Sequence, residues 1–238
     1  MTNSLSLREM ALEILLEVEK NGAYPNVLLK QTLDKYLYME KQERAFLTRL
    51  VEGAVERKLT LDYYINQVSK TPVNKMKPVI RCIMRMAAYQ IFYMDAVPDS
   101  AACNEAVKLA QKKGFQTLKG FVNGVLRNLS RQKDEIALPD EAKEPVKALS
   151  VKYSVPEWLV EKVIKDYGME HAKNMFASLY ENVGATTIRV NNSKISTEEC
   201  AKLLEKEGVH VEKAVYVENA LEISDYDSLR FLESFEKG

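Results

Sequence analysis

Apolar side chains recur at spacings of three and four through the first 131 residues, with only short polar breaks. That spacing places them on one face of an α-helix. The stretch 6–19 shows the pattern, with Leu7, Ala11, Ile14, Leu15 and Val18. Only nine glycines and seven prolines occur in 238 residues, which disfavours a turn-rich β protein. We therefore predict an all-helical, bundle-like domain over residues 1–133.

Capping and breaking residues set the expected helix boundaries. Pro78 suits a first helical turn, and Asp99 or Ser100 can cap the helix that Gly114 ends. The predicted helices cover residues 6–19, 25–37, 40–59, 60–68, 78–94, 99–113 and 118–131. Their short connections favour packing of successive helices against one another.

The second part of the chain changes character. Residues 134–147 are acidic and contain Pro139 and Pro145, which is typical of an exposed linker. The rest, 148–238, is predicted as a helical hairpin followed by a small α+β domain. Its predicted helices cover 156–167, 169–180, 196–208 and 228–235, and its strands 186–190, 209–217 and 220–223. The fold class is thus mainly α, and the β–α–β–β order resembles an RNA-recognition (RRM-like) sheet.

Composition excludes several classes of protein. The hydrophobic fraction of 46% and charged fraction of 29% argue against wholesale disorder. No apolar run approaches the roughly 18–20 residues needed to cross a bilayer, so no membrane association is expected. The first ten residues contain no signal-peptide core, and the three cysteines are odd in number and widely spaced. Both features indicate a cytoplasmic protein.

Charge is segregated along a chain that is neutral overall. Residues 57–133 hold 14 Lys and Arg against four acidic residues, a net charge of +10. The net charge is +6 for residues 1–135 and −6 for residues 136–238. Such asymmetry indicates a nucleic acid or another anionic partner for the first part. The alternative interpretation is an ordinary solvated helical surface.

No catalytic or metal-binding pattern is present in the sequence. His171 and His210 have no nearby cysteine or second histidine, so there is no zinc signature. There is no glycine-rich phosphate loop and no nucleophile elbow. Cys103 lies on an inward-facing predicted helix and is interpreted as a core residue. We therefore predict no catalytic residue, no metal and no cofactor site in this chain.

Two predicted helices carry cations at four-residue steps. One has Lys77, Arg81 and Arg85, and the other has Lys119, Asn123, Arg127 and Arg131. Side chains four residues apart share a helix face, so each helix is expected to display a basic ridge. Arginine can engage phosphate oxygens in pairs. A solvated face is again the alternative, and Gly120 and Gly124 are interpreted as permitting close helix packing.

Several segments resemble one known family. These are the segments 97–112, 120–127, 43–46, 51–53 and 187–191. Residues 97–107 read VPDSAACNEAV and residues 120–127 read GFVNGVLR. The chain is similar, in this order, to the N-terminal region of the Sun/Fmu (RsmB) type of 16S rRNA cytosine-5 methyltransferase. The resemblance implies a NusB-like fold for the first domain.

The resemblance also implies what this chain lacks. The full-length family uses S-adenosylmethionine in a Rossmann-like domain with a Pro-Cys catalytic motif, whereas none of Cys82, Cys103 and Cys200 follows a proline. We therefore expect this chain to bind 16S rRNA and not to methylate it. The candidate RNA-binding residues are Arg8, Lys112, Lys113, Lys119, Asn123, Arg127, Arg131 and Arg189. Two alternatives are a stand-alone antitermination-like RNA-binding factor and a helical protein-interaction scaffold.

Overall fold

Ten α-helices precede the first strand of the chain. The computed structural model describes residues 6–36, 38–181, 185–226 and 228–236, and every count of helices or strands refers to those ranges. The ten helices are α1 (Leu7–Asn21), α2 (Pro25–Lys35), α3 (Lys41–Glu56), α4 (Lys58–Val68), α5 (Pro78–Tyr93), α6 (Asp99–Lys112), α7 (Lys119–Gln132), α8 (Pro145–Tyr153), α9 (Glu157–Tyr167) and α10 (Met169–Ser178). The order β1 (Thr186–Arg189), α11 (Thr197–Lys206), β2 (His210–Lys213), β3 (Ala220–Ser224) and α12 (Glu233–Glu236) follows.

Local capping explains where several helices begin and end. At the start of α1, the Ser6 N–H donates to Glu9 Oε2 at 2.9 Å, and the Glu9 N–H donates to Ser6 Oγ at 3.3 Å. This reciprocal capping box satisfies backbone donors that have no partner inside the helix. Gly22, at a φ of 64°, ends the same helix in the left-handed conformation that favours glycine. Ser196 and Glu199 form the predicted capping box of α11.

Helix α5 is the centre of the first seven helices. It packs against α1, α3, α4, α6 and α7, and it is buried on nearly all of its surface. The cluster of buried apolar residues around it extends from α1 to α7. The predicted all-helical first domain is therefore confirmed, with a core that the apolar periodicity had indicated.

Helix α8 is absent from the helices predicted by the sequence. Its first residue is Pro145, which the sequence pattern assigned to a linker, but proline fits the first turn of a helix because no N–H is needed there. The Leu59 N–H donates to Ser154 Oγ at 3.0 Å, and Thr60 Oγ1 donates to the Val151 carbonyl at 2.5 Å. These bonds join α8 to α4.

The chain divides after Ser178 into two compact units. Helices α8 to α10 bury their own small apolar cluster but belong to the first unit, in part through the α4–α8 contact. The expected linker 134–147 thus lies between two hydrophobic clusters and not between the two units. In the part of the chain that the structure describes, no helix is long and apolar enough to cross a membrane.

The second unit contains an antiparallel sheet with strand order β1-β3-β2. Ile188 of β1 lies opposite Leu221 of β3, and Val211 of β2 lies opposite Ile223 of β3. The apolar side chains of the sheet pack with Leu204 of α11 in one cluster. Strand β2 is shorter than the predicted 209–217, because the chain turns after Lys213.

Replacing Gly53 of α3 by alanine is expected to destabilise the first unit. A Cβ at this position would overlap the ring of Tyr89, which is buried and stacks on the ring of Tyr93. Overpacking of this kind costs about 1–3 kcal/mol. The matched control is Gly124→Ala in α7, where a Cβ meets nothing, and which should stabilise by up to about 1 kcal/mol. Urea unfolding of both variants measures the difference, and equal stabilities would contradict this account of the packing.

Candidate nucleic-acid interface

Helix α7 separates its apolar and basic residues onto opposite faces. Val122, Leu126 and Leu129 are fully buried against the helical core. Lys119, Arg127 and Arg131, on the other side, are exposed, and Asn123 is half-buried between them. We call Lys119, Gly120, Asn123, Gly124, Arg127 and Arg131 the α7 basic face. The structure brings together on this face four of the eight candidate RNA-binding residues, in the predicted arrangement.

The basic side chains of this face have no acidic partner among the residues that the structure describes. None of Lys119, Arg127 and Arg131 forms an ion pair within those ranges. Arg127 Nε donates to Asn123 Oδ1 at 2.9 Å, which orients the guanidinium along the helix. A phosphate approaching this face would therefore meet cations that no carboxylate neutralises.

Gly120 and Gly124 do not serve the packing that the sequence suggested. Both are exposed, and a Cβ built at either would have no heavy atom within 4 Å. The prediction that they permit close helix packing within the chain is wrong. Gly120 follows Lys119, and Gly124 follows Asn123. Because glycine has no side chain, the helix backbone is accessible at these two positions beside the basic residues.

Lys112 and Lys113 are paired with carboxylates of α1. Lys112 Nζ lies 2.6 Å from Glu9 Oε1, and Lys113 Nζ lies 3.4 Å from Glu13 Oε1. Burial by itself raises the pKa of Glu9, but hydrogen bonds from Lys112 and Ser6 outweigh it, and the pKa is lowered. The two lysines therefore join the end of α6 to α1, and their charges are partly neutralised within the chain.

Arg8 is held inside the helical unit. Its guanidinium lies 5.0 Å from the centre of the Phe46 ring, and Nε donates to Gln90 Oε1 at 2.8 Å. Burial lowers the pKa of Arg8, and the charge of Glu105 opposes that effect. The side chain thus connects α1 with α3 and α5.

The basic ridge that was expected on α5 is not displayed. Arg85 is only 7% exposed, and it donates to both oxygens of Asp62, at 2.6 and 2.7 Å, and to Glu19 Oε2 at 3.0 Å. Arg81 Nη2 lies 2.5 Å from Glu19 Oε1. Lys77 lies over the Phe115 ring. The prediction failed because Glu19 and Asp62 are 66 and 23 residues from Arg85, and no local pattern reveals such partners.

Arg189 belongs to the second unit. It lies on β1 and is exposed, on the sheet face that also carries Thr187, Glu212 and Glu222. The three strands carry no Phe, Tyr or Trp, and their one aromatic ring is the imidazole of His210 on β2. RRM domains bind RNA by stacking bases on aromatic side chains of the sheet. The sheet therefore resembles that fold but carries a single ring, that of His210, where RRM domains carry several.

The three cysteines lie in surroundings that favour the protonated thiol. Cys82 and Cys103 are buried. Burial, reinforced by the charge of Glu19, raises the pKa of the Cys82 thiol to about 11. Burial also raises the pKa values of Cys103 and Cys200. Protonated thiols are poor nucleophiles. Within the described ranges, no group of three or more His, Cys, Asp or Glu side chains is placed to hold a metal ion.

Two successive regions of the chain each match a known family. Residues 5–131 match the NusB family, and residues 155–228 match the ferredoxin-like domain of RsmF/B-like methyltransferases. The chain therefore belongs to the NusB family. Its two domains, in this order, are those of the N-terminal region of the Sun/RsmB-type rRNA methyltransferases.

Individual relatives support both assignments. The chain is 36% identical over 218 residues to the probable ribosomal RNA small subunit methyltransferase B of Bacillus subtilis. The aligned residues make up 92% of this chain and 48% of that protein. The chain is 36% identical over 129 residues to the transcription antitermination protein NusB of Pelotomaculum thermopropionicum, covering 54% of this chain and 89% of that protein. The crystal structure of PH0851 has the same fold, with a TM-score of 0.68, 19% identity, and coverage of 98% of this chain and 52% of that one. This chain spans about half the length of the methyltransferase relative.

Removing the charge of Arg85 is expected to destabilise the helical unit strongly. The Arg85→Met variant would leave Asp62 and Glu19 without their main partner at a poorly hydrated site, and breaking a buried pair costs about 3–5 kcal/mol. Arg127→Met is the matched control on the α7 basic face and should change stability by less than about 0.5 kcal/mol. Urea unfolding of the two variants tests the distinction, and similar losses would mean that Arg127 is also structural.

The Glu19 ion pairs predict how stability depends on pH. Burial alone would raise the pKa of Glu19, but the charges of Arg85, Lys58 and Arg81 outweigh it, so the pKa lies below its ordinary value of 4.5. A carboxyl with a lowered folded-state pKa stabilises the fold above its unfolded-state pKa, and this contribution disappears as pH falls through the folded-state value. Glu19→Gln should therefore be less stable than the wild type at pH 7, and the two should converge at acidic pH, below the lowered pKa of Glu19. A constant difference between them across that range would contradict this role.

Proposed function

We propose that this chain is the RNA-binding, substrate-positioning part of a 16S rRNA (cytosine-5)-methyltransferase. The observation that carries the proposal is the α7 basic face, whose cations have no acidic partner in the described part of the chain. The match of residues 155–228 to the ferredoxin-like domain of RsmF/B-like methyltransferases supports a role of this chain in rRNA modification. The name of the Bacillus subtilis relative supports small-subunit rRNA as the class of target.

The proposed contact is electrostatic. Folded rRNA consists largely of A-form helices, whose phosphates and shape are accessible while the base edges of the deep groove are not. The Arg127 guanidinium, already oriented by Asn123, needs little further ordering to engage a phosphate. The exposed glycines allow the sugar-phosphate backbone to approach α7 closely. Arg8, Lys112, Lys113 and Arg189 remain candidates, with the first three partly engaged inside the helical unit.

The methyl donor proposed for the full-length family, S-adenosylmethionine, has no fitting site in the residues described. Rossmann-like sites need a parallel sheet with a glycine-rich loop that leads from a strand into a helix. In this chain the sheet is antiparallel, and the connection from β1 to α11, residues 190–196, contains no glycine. We therefore assign RNA binding to this chain and leave methyl transfer to the whole protein. The proposed place of action is the cytoplasm, where ribosomal RNA is processed.

A stand-alone antitermination factor is the second candidate. The NusB relative from Pelotomaculum is matched over most of its own length, which favours this alternative for residues 5–131. It does not account for the ferredoxin-like match over residues 155–228. The protein-interaction scaffold, the third candidate, predicts no RNA affinity.

Loss of the three cations of the α7 basic face is expected to weaken RNA binding. The variant Lys119→Ala/Arg127→Ala/Arg131→Ala should lower affinity for 16S rRNA fragments. The slope of log K against log salt should also become less negative by roughly 2–3, because each phosphate contact contributes about −0.7 to −0.9 to this slope. Fluorescence anisotropy measures both the affinity and the slope. The salt concentration is varied from about 50 to about 200 mM, a range over which the affinity of phosphate contacts changes strongly.

The control removes the same charge elsewhere. Lys143, Lys147 and Lys162 each pair with a neighbouring carboxylate on their own segment, and replacing all three by alanine also changes the net charge by three. Equal weakening by both triple variants would mean that net charge, and not the α7 basic face, governs binding. If the wild type had no affinity for RNA, both RNA-binding candidates would be excluded and the protein-interaction scaffold would be favoured. Equal affinity for 16S fragments and for other structured RNA would favour the antitermination-like candidate.

A further inference from the structure

A small cavity lies between α1, α3, α4 and α5. It has a volume of about 200 Å³, and its wall combines apolar and charged side chains. The lining residues are Leu15, Val18, Ala54, Val55 and Cys82, together with Glu19, Lys58 and Arg85. Because Glu19 contacts both Lys58 and Arg85, the charged side chains form one continuous part of the wall. An apolar cavity with a few grouped polar side chains is typical of small-molecule sites.

The charged side chains around this cavity hold more positive than negative charge. Glu19 contacts three cations: Arg81 Nη2 at 2.5 Å, Arg85 Nη1 at 3.0 Å and Lys58 Nζ at 3.6 Å. Asp62 supplies the second carboxylate and, among the residues described, pairs with Arg85 alone. Three cations therefore share two carboxylates, and one positive charge is left in excess. Such an excess is costly at a site that is partly withdrawn from water.

Several hydrogen-bond donors of these cations are also unused. Arg81 Nε is buried and has no hydrogen-bond partner in the described part of the chain. Arg85 donates one N–H from each of its three nitrogens, so its two terminal nitrogens each keep one further N–H. Lys58 has only Glu19 as a partner within the described ranges, at the longest of the three distances. An acceptor inside the cavity would therefore meet donors that are still available.

The Cys82 thiol does not supply the missing negative charge. Burial and the charge of Glu19 raise its pKa to about 11, although the three cations act in the opposite direction. The thiol is therefore protonated at neutral pH, and its Sγ donates to the Leu15 carbonyl at 3.8 Å. The balance of the excess charge is left to the solvent or to a bound anion.

Size and lining together define the kind of anion that fits. A cavity of about 150 Å³ binds benzene, so this one has room for a ring of that size with one small polar group. A phosphate would place oxygens against Leu15, Val18 and Val55, where there are no donors, and this is unfavourable. A carboxylate can pair with a guanidinium and an ammonium group while an apolar body covers the aliphatic wall. Its single charge also matches the single charge in excess.

We propose that the cavity between α1, α3, α4 and α5 binds a small organic monocarboxylate, of the size of benzoate or a short-chain fatty acid. The carboxylate accepts hydrogen bonds from Lys58 Nζ and from the terminal nitrogens of Arg85, and the apolar body packs on Leu15, Val18 and Val55. Lys58 is half-exposed and Arg85 is buried, so the ligand enters past Lys58. The site lies inside the helical unit and does not depend on RNA binding by the α7 basic face.

Benzoate is the probe for this site, and benzamide is its matched neutral control, since the two share a ring and have similar volumes. Titration of the 238-residue chain with each compound, at constant ionic strength, is followed by NMR chemical shifts and by the thermal unfolding midpoint. Benzoate should bind about tenfold more tightly than benzamide. It should also raise the midpoint more than the same concentration of chloride does. Equal affinity for the two compounds, or an equal effect of chloride, overturns the proposal.

A single substitution tests the role of the excess charge. Lys58→Met removes that charge and leaves Arg85 paired with Asp62 and Glu19. This variant should bind benzoate about tenfold more weakly and benzamide as the wild type does. Lys70→Met is the matched control, because Lys70 is exposed and does not line the cavity, and it should bind benzoate normally. Equal benzoate affinity in the Lys58→Met variant and the wild type overturns the proposal.

The location of the ligand is tested separately. Val55→Phe fills the cavity and should abolish benzoate binding, with urea unfolding as the check that the variant folds. If it does not fold, nuclear Overhauser effects in the wild type decide the location. Contacts are expected between the benzoate ring and the methyl groups of Leu15 and Val18. Benzoate binding by a folded Val55→Phe variant, or Overhauser effects only to residues outside the cavity, overturns the location.

Discussion

Helix α5 is surrounded by five other helices, and a charged residue in its middle must find partners inside the protein. Arg85 meets this requirement with Asp62 of α4 and Glu19 of α1, and Arg81 shares the Glu19 carboxylate. A buried guanidinium without such partners would cost several kcal/mol, on the order of the whole stability of a domain. The packing of α1 and α4 on α5 is therefore coupled to the positions of these two carboxylates. The pairs also make the arrangement of the three helices specific.

This requirement divides the positive charge of the first unit into two classes. Arg8, Arg81, Arg85, Lys112 and Lys113 are bound to side chains of neighbouring helices, where they hold the unit together. Lys119, Arg127 and Arg131 lie on the outer side of α7, away from the carboxylates of α1. The net charge of residues 57–133 thus overstates the charge that is available to a polyanion. Three of the available cations lie together on one helix, which is a better basis for binding than a diffuse excess.

The second unit illustrates a different constraint, the completion of a sheet. The three-stranded sheet and α11 bury Val190, Leu221 and Ile223, but among the residues described nothing pairs with the outer edge of β1, and several apolar side chains are exposed. Open edges of this kind are usually paired, charged or covered in natural proteins. The lack of Phe, Tyr and Trp on the three strands argues against extensive base stacking on this sheet.

Sequence alone determined the elements that depend on neighbours within one or two helical turns. The amphipathic helices of the first domain, the capping boxes at Ser6 and Ser196, and the outward direction of Lys119, Arg127 and Arg131 all follow from local spacing. Helix α8 was missed because Pro145 begins a helix as readily as it interrupts one. Tertiary structure alone decided which cations remain free, since Glu19 and Asp62 reach Arg85 from distant parts of the chain. It also decided that Gly120 and Gly124 face open space and that β1 is an edge, because strand order and helix packing are properties of the whole fold.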